Sequence, residues 1–274
     1  YETMDFYVLY NRFLKKEGYQ TLPRRPLEKR KLRYEDVYPI LYLKYRLSRQ
    51  AERSNIKHLV IDEMQDYSRL QYLIIRRMFS CKMTILGDRA QTMADQQQDV
   101  LQFLPGIFGK DLRRIEMRKS YRNTVEIASY AANLIGVTDL ELFERHGIPV
   151  VERDVTDLEA ALREAVDTLF PEEKTYETAA VIVPDEKTAE RAYLILREIL
   201  SEKDFDCEKR LSWLNRDSSS FKKGLTVTTF YLAKGLEFDQ VFSIFPKDEK
   251  REIMMQAQYI AATRALHELR VYHI

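Results

Sequence analysis

The sequence predicts an α/β chain in which parallel sheets are covered on both faces by helices. Short β-branched and apolar runs alternate with longer stretches of helical spacing, the pattern of strand–helix repeats. Two of the apolar runs, "HLVIDE" and "MTILGD", end in acidic corners, and open α/β sheets bind ligands beyond the carboxyl ends of their strands. Proline and two glycines gather in "LPGIFGKD" (104–111), which reads as a break between two domains, 1–108 and 109–274.

Residues 4–17 and 34–53 carry apolar residues at helical spacing, Val37, Leu41 and Leu47 among them, and predict two helices. Between them "LPRRPLEKRKLR" (22–33) has two prolines and six basic residues. It reads as a loop with a basic face, and a solvated linker is its simplest reading. Strands follow at 57–62 and 82–87, with helices at 68–79 and 95–104 and a strand at 112–117. Beyond the break, helices at 123–134, 156–170, 185–202 and 250–265 alternate with strands at 179–183, 225–230, 240–245 and 269–273. "NRDSSSFKKG" (215–224) is a polar loop. Trp213 lies in a helical apolar context, "RLSWLN", and reads as core rather than as a base-stacking platform.

A chain of 274 residues accommodates two domains. Its 44 basic and 43 acidic residues leave a net charge of +1, so no global field recruits an anionic partner and a nucleic-acid surface must be a local patch. Cys81 and Cys207 are far apart and exclude a disulfide framework or zinc site, which makes a reducing cytoplasm the expected compartment. No run has membrane-spanning length. The chain begins at Tyr1 rather than Met and reads as a piece of a longer protein.

Asp62 closes an apolar strand and Glu63 follows it. In nucleoside triphosphatases an aspartate there holds the magnesium on the terminal phosphates, and a neighbouring glutamate activates the attacking water. A helix N-cap with acids in its first turn is the structural alternative. The second strand end, Gly87-Asp88 with Gln91 after it, tips the balance toward function. Glycine admits close backbone approach, and the Gln91 amide suits both a γ-phosphate oxygen and a water. Phosphoryl transfer also needs positive charge at the transferred group, for which arginine offers a rigid fork. Arg122 stands directly before a predicted helix and Arg264 near the end of another. His58, His146, His267 and His273 have no ligand or catalytic spacing.

The ordered set resembles the UvrD/Rep-type superfamily-1 helicases from motif II to motif VI, over roughly residues 57 to 274. "IDEMQD" is similar to motif II, "LGDRAQ" to motif III, "KSYRNT" to motif IV, "TTFYLAKGLEFDQVF" to motif V and "QYIAATRAL" to motif VI. The resemblance implies two RecA-like domains, the first here partial and the second complete, with ATP and Mg2+ in the cleft between them. It implies that Asp62 binds magnesium through water, Glu63 activates the hydrolytic water and Gln91 senses the γ-phosphate. It further implies that Tyr121 stacks on adenine, Gly235 and Glu237 belong to the ATP site with Glu237 on the ribose, and Arg122 and Arg264 are arginine fingers. Thr229 and Tyr231 are implied to lie near single-stranded nucleic acid. DNA is the expected partner.

A phosphate loop needs Gly-x-x-x-x-Gly-Lys-Ser/Thr. The eight glycines, at 18, 87, 106, 109, 136, 147, 224 and 235, contain no pair with that spacing and sequel. The loop is expected upstream of Tyr1, and this piece alone is expected to hydrolyse little ATP. The sequence also departs from the family. After "LGDRAQ" it runs "TMADQQQDVLQFL", without an aromatic until Phe103, where the family carries an aromatic–arginine pair. Such stacking contributes about 1–3 kcal/mol per base. Tyr231 stands where motif V normally has histidine. The interval from Arg122 to Thr229, about a hundred residues, is too short for a large insertion domain. These features, with "YEDVYPILYLKYRL" (34–47), are similar to the HelD branch, which acts on RNA polymerase. Three readings result: an ATP-dependent DNA helicase or translocase, an RNA-polymerase remodeller, and an inactive nucleotide-binding module.

Overall fold

The computed structural model describes residues 5–48, 55–88, 91, 100–117, 119–137, 141–203, 205–216, 218, 223–247 and 252–274. The chain divides into two compact units, residues 1–114 and 115–274.

In the first unit, helix α1 (Phe6–Lys16) starts at Asp5, whose carboxylate accepts from the Tyr7 and Val8 N–H groups at 3.0 and 3.3 Å. Lys15 and Lys16 in its last turn complement the helix dipole. Tyr7, Tyr10 and Leu14 form its buried stripe against α2 (Tyr34–Leu47). Tyr10 donates its hydroxyl to the buried Asp36 at 3.0 Å. Burial, then that carboxylate, push the phenol up to about 12.

Strand β1 (His58–Ile61) pairs in parallel with β2 (Lys82–Ile85), His58 opposite Lys82 and Ile61 opposite Ile85. The connecting helix α3 (Arg69–Met78) is entered through a capping box of Ser68 and Gln71. Tyr72, fully buried, sits among Ile61, Val100 and Leu104 and donates to the Met64 carbonyl at 3.0 Å. Val60 faces away from this core and is 60% exposed.

Helix α4 (Val100–Phe108) runs through Pro105 and Gly106, where a break was expected. Interior proline costs about 3 kcal/mol. Leu104, Ile107 and Phe108 offset it by packing into the cluster around Tyr72, with the Phe108 ring edge-on at 6.4 Å. Residues 95–99 of the predicted helix 95–104 lie outside the described residues. Residues 112–117 do not form the expected strand: they have no ladder partner among the described residues, and Ile115 and Met117 are 87% and 86% exposed.

Among the described residues the second unit is built on a six-stranded, wholly parallel sheet in the order β5-β10-β9-β6-β8-β7. Its strands are β5 (Val151–Asp154), β6 (Thr178–Val183), β7 (Leu211–Trp213), β8 (Gly224–Thr229), β9 (Phe238–Phe245) and β10 (Ala265–His273). A separate short parallel pair joins β3 (Lys119–Ser120) to β4 (Glu141–Leu142). Helices α6 (Leu158–Asp167) and α7 (Glu186–Ser201) cover one face, on Val181, Val227, Phe242 and Ile244. Helix α9 (Glu252–Ala262) packs on β9 and β10, and α5 (Val125–Leu134) packs on α9 and β10. The short α8 (Cys207–Arg210) leads into β7. Central strands buried on both faces explain the near-continuous apolar runs of β6 and β9. The predicted α/β class with parallel sheets flanked by helices is the one observed.

Trp213 belongs to a strand, not a helix: Leu211, Ser212 and Trp213 pair with Leu225, Thr226 and Val227. Its ring packs on the core and stacks on Tyr193 at 6.1 Å.

Asp239 stitches the start of β6 to β9. Its Oδ2 accepts from the Glu177 N–H, the Thr178 N–H and the Thr178 hydroxyl, each at 2.9 Å. Burial alone raises its pKa, but these donors, with His267 nearby, outweigh burial and hold the carboxyl below its ordinary 3.8. A depressed folded value means stability that is full above the unfolded value and lost as pH falls through the folded one. Asp239→Ala is expected to cost about 2 kcal/mol at neutral pH, the value of a charged hydrogen-bond set. It is also expected to flatten the acid limb of stability below pH 3.8. Denaturant unfolding at neutral and acid pH checks both.

Candidate functional site

The first unit brings two strand ends together. Leu86 donates its N–H to the Ile61 carbonyl at 2.8 Å, and Met64 donates to the Leu86 carbonyl at 2.8 Å. The chain turns sharply between these bonds. Glu63 adopts φ 51° and ψ 52°, a left-handed conformation uncommon for a residue with a side chain. The exposed Asp62 accepts the Glu63 N–H on Oδ1 at 2.8 Å. A 3-10 turn, Met64–Asp66, follows instead of a continuous helix.

Gln65, which sequence reasoning passed over, joins the two ends. Its Nε2 donates to Glu63 Oε2 at 2.5 Å, and its Oε1 accepts the Asp88 N–H at 3.1 Å. The only hint in sequence was an amide in a row of acids. Gly87 stands where the strand ends converge. A Cβ there would lie 2.5 Å from Gln65 Oε1 and 2.6 Å from the Met64 nitrogen, and would also strike Met64 Cγ. Gly87→Ala is therefore expected to destabilise the fold by about 1–3 kcal/mol, measured as a shift in the denaturant midpoint.

Gln91 is buried. Its Nε2 donates to Asp88 Oδ2 at 3.0 Å, and its Oε1 has no hydrogen-bond partner among the described residues. In this orientation the amide offers an acceptor. The acceptor matches a water O–H, and the second N–H of Nε2, beyond the one given to Asp88, matches a phosphate oxygen. Among the described residues no three histidine, cysteine or acidic side chains gather to hold a metal. A magnesium ion held by one carboxylate, waters and substrate phosphates needs no such group. The segment 92–99, which begins the stretch without an aromatic, lies outside the described residues. Phe103 packs against Tyr72, ring centroids 5.9 Å apart.

The second unit gathers the other candidates. Arg122 Nε donates to Glu237 Oε1 at 2.7 Å, in an exposed pair. The two residues assigned from sequence to separate parts of the nucleotide thus meet. Tyr121 is 60% exposed, its ring 5.6 Å from that of Phe143 and the Lys119 ammonium 5.5 Å above it. Gly235, at φ +76°, forms the turn between β8 and β9 that delivers Glu237. Thr229 ends β8 with a buried Oγ1 lacking a partner among the described residues, and Tyr231 sits in the following turn.

Arg264 is 1% exposed. Its Nε donates to the Ile260 carbonyl at 3.2 Å, Nη1 to the Leu236 carbonyl at 3.4 Å and Nη2 to the Thr263 hydroxyl at 3.1 Å. The guanidinium thus ties the carboxyl end of α9 to the turn that carries Glu237. Two further residues link Arg122 to this corner. Asn123 Nδ2 donates to the carbonyls of Thr263 and Ala265 at 3.3 and 2.6 Å. Arg145 donates to the Arg122 carbonyl, and to the Leu266 carbonyl at 2.8 Å. Neither was singled out from sequence, because the contacts cross 140 and 121 residues.

Residues 2–93 match the UvrD/REP helicase N-terminal domain. That segment, about the first third of the chain, is UvrD-like. No curated protein matches it. Among solved structures, the chain is similar to the C-terminal domain of a possible DNA helicase from Lactobacillus plantarum, at 24% identity and a TM-score of 0.44, covering 57% of this chain and 88% of that one. It is similar to PRRSV helicase at 17% identity and a TM-score of 0.43, covering 79% of this chain and 35% of that one. It is similar to arterivirus nonstructural protein 10, a helicase solved with DNA, at 14% identity and a TM-score of 0.44, covering 81% and 41%. This chain therefore spans well under half the length of the two viral helicases. Among the described residues no helix is long and apolar enough to cross a membrane.

Proposed function

We propose that this chain is the motor portion of an ATP-dependent superfamily-1 DNA helicase or translocase acting in the cytoplasm. The observation that carries the reading is the linkage of Asp62, Glu63, Gln65, Asp88 and Gln91 at adjoining strand ends. Their meeting on one edge of one unit supports reading Asp62 as the metal-binding carboxylate, Glu63 as the general base and Gln91 as the water-orienting amide. Asp62 would hold Mg2+ through water, and the ion would supply positive charge to the terminal phosphates when bound. Glu63 takes the proton of the attacking water, and the Gln91 Oε1 accepts the other. In the second unit Tyr121 offers a ring face to adenine, Glu237 a carboxylate to the ribose, and Gly235 the tight turn between. Arg122 and Arg264 supply charge to the γ-phosphate, Arg122 by exchanging its bond to Glu237. Thr229, buried at the end of β8, and Tyr231 in the turn after it are read as lying near the nucleic acid.

The first unit is read as part of a RecA-like domain and the second as a complete one. Parallel sheets are ordinarily covered on both faces, yet among the described residues β1 and β2 form a two-stranded sheet with Val60 60% exposed. The 274 residues contain no Gly-x-x-x-x-Gly-Lys-Ser/Thr loop, so this chain alone is expected to turn over little ATP, and a form joined to such a loop to turn over more. ATP hydrolysis measured on both forms tests the reading. Equal, low turnover with and without the loop would count against it.

A second reading, a HelD-like motor that frees stalled RNA polymerase, is favoured by one observation. Phe103, the first aromatic after Gln91, is occupied in the core against Tyr72 and offers no platform for a base.

A further inference from the structure

We propose that the segment Leu22–Arg33 of the first unit is a preformed cradle for the phosphodiester backbone of nucleic acid, separate from the residues above. The proposal rests on the nucleic-acid reading of the preceding subsection. From sequence this stretch reads as a solvated linker. The structure ties it down instead. Asn11 brackets Leu22, accepting its N–H at 2.7 Å and donating to its carbonyl at 3.3 Å. The Tyr7 hydroxyl donates to the Pro23 carbonyl at 2.7 Å. Arg30 forks onto both oxygens of Asp5 at 2.9 and 2.7 Å, donates to the Arg25 carbonyl at 3.0 Å and lies over the Tyr7 ring at 4.5 Å.

One of the six cations is thus consumed as a clamp. Arg24, Arg25, Lys29 and Lys31 are exposed and have no acidic partner among the described residues, and Arg33 has only a long 3.9 Å approach to Glu35. The segment holds a single acid, Glu28, in a chain whose net charge is only +1. Like charges crowded on an ordered loop repel one another and are left without internal compensation. A polyanion supplies that compensation, and each phosphate contact releases a counterion. Because the loop is already pinned, binding costs little ordering of its backbone. Tyr34, next to Arg33, is 73% exposed.

The test is fluorescence anisotropy of the 274-residue chain with a labelled oligonucleotide, single-stranded and duplex, between about 50 and 200 mM salt. Arg24→Ala/Arg25→Ala/Lys29→Ala/Lys31→Ala is expected to weaken binding on the order of a hundredfold at low salt. It should also reduce the slope of log affinity against log salt by about three. Replacing Arg163, Lys203 and Lys209, each already paired with an acid, removes positive charge elsewhere and is expected to leave both nearly unchanged. All four loop side chains are exposed, so the melting temperature should hold. If wild type binds and the loop variant binds with equal slope and affinity, the cradle is overturned and the motor reading survives. If wild type binds neither form, the cradle is overturned and the nucleic-acid reading loses its support as well.

Discussion

On the motor reading proposed above, Glu63→Gln is expected to leave ATP binding intact and to lower turnover by about 10²–10⁴-fold, the usual contribution of a positioned general base. The expectation comes from how Glu63 is held. Its backbone occupies the left-handed region at φ 51°, and its carboxylate is fixed by Gln65 at 2.5 Å. A left-handed residue with a Cβ costs roughly 1–2 kcal/mol, and such strain gathers at functional sites. Glutamine keeps the shape and the contact but cannot take a proton. Glu63→Gly separates strain from chemistry: relief of the left-handed cost is expected to stabilise the fold by about 1 kcal/mol while turnover still falls. ATP affinity, steady-state hydrolysis and denaturant unfolding of the two variants distinguish the outcomes. Unchanged turnover in Glu63→Gln removes Glu63 from this role.

Arg264→Ala in the whole protein is expected to lose on the order of 10³-fold in turnover, the scale of an arginine finger. The burial of Arg264 adds a second expected effect. Its guanidinium serves the carbonyls of Ile260 and Leu236, which alanine would leave short of donors, at a cost of about 1–3 kcal/mol. Arg264→Lys keeps the charge but not the fork. A finger is revealed by turnover that collapses in both variants at temperatures where both remain folded. A turnover loss below roughly tenfold, with a lowered melting temperature, makes Arg264 a structural tie between α9 and the β8–β9 turn. Asn123 and Arg145 fasten Arg122 to the same corner, so the two arginines are positioned through one hydrogen-bonded junction.

Much of this protein was legible in the amino-acid sequence. Apolar periodicity located β6, β8, β9 and the helices between them, because buried parallel strands must be apolar on both faces and helices need a stripe. The order of the acidic and basic motifs carried the resemblance to UvrD/Rep helicases, and residues 2–93 match that family's N-terminal domain. Tertiary structure decided the rest, and in each case the cause is a contact distant in sequence. Residues 112–117 are apolar enough for a strand but have no ladder partner among the described residues. Leu211–Trp213 reads as helix by spacing and becomes an edge strand because β8 lies beside it. Pro105 fails to end α4 because Tyr72 holds the turn beyond it. Gln65 acquires meaning only when two strand ends 23 residues apart converge, and Arg264 its burial only when α9 and the β8–β9 turn meet. Residue type and spacing specify which chemistry is present. Which side chains share it is specified by long-range packing, to which local periodicity is blind.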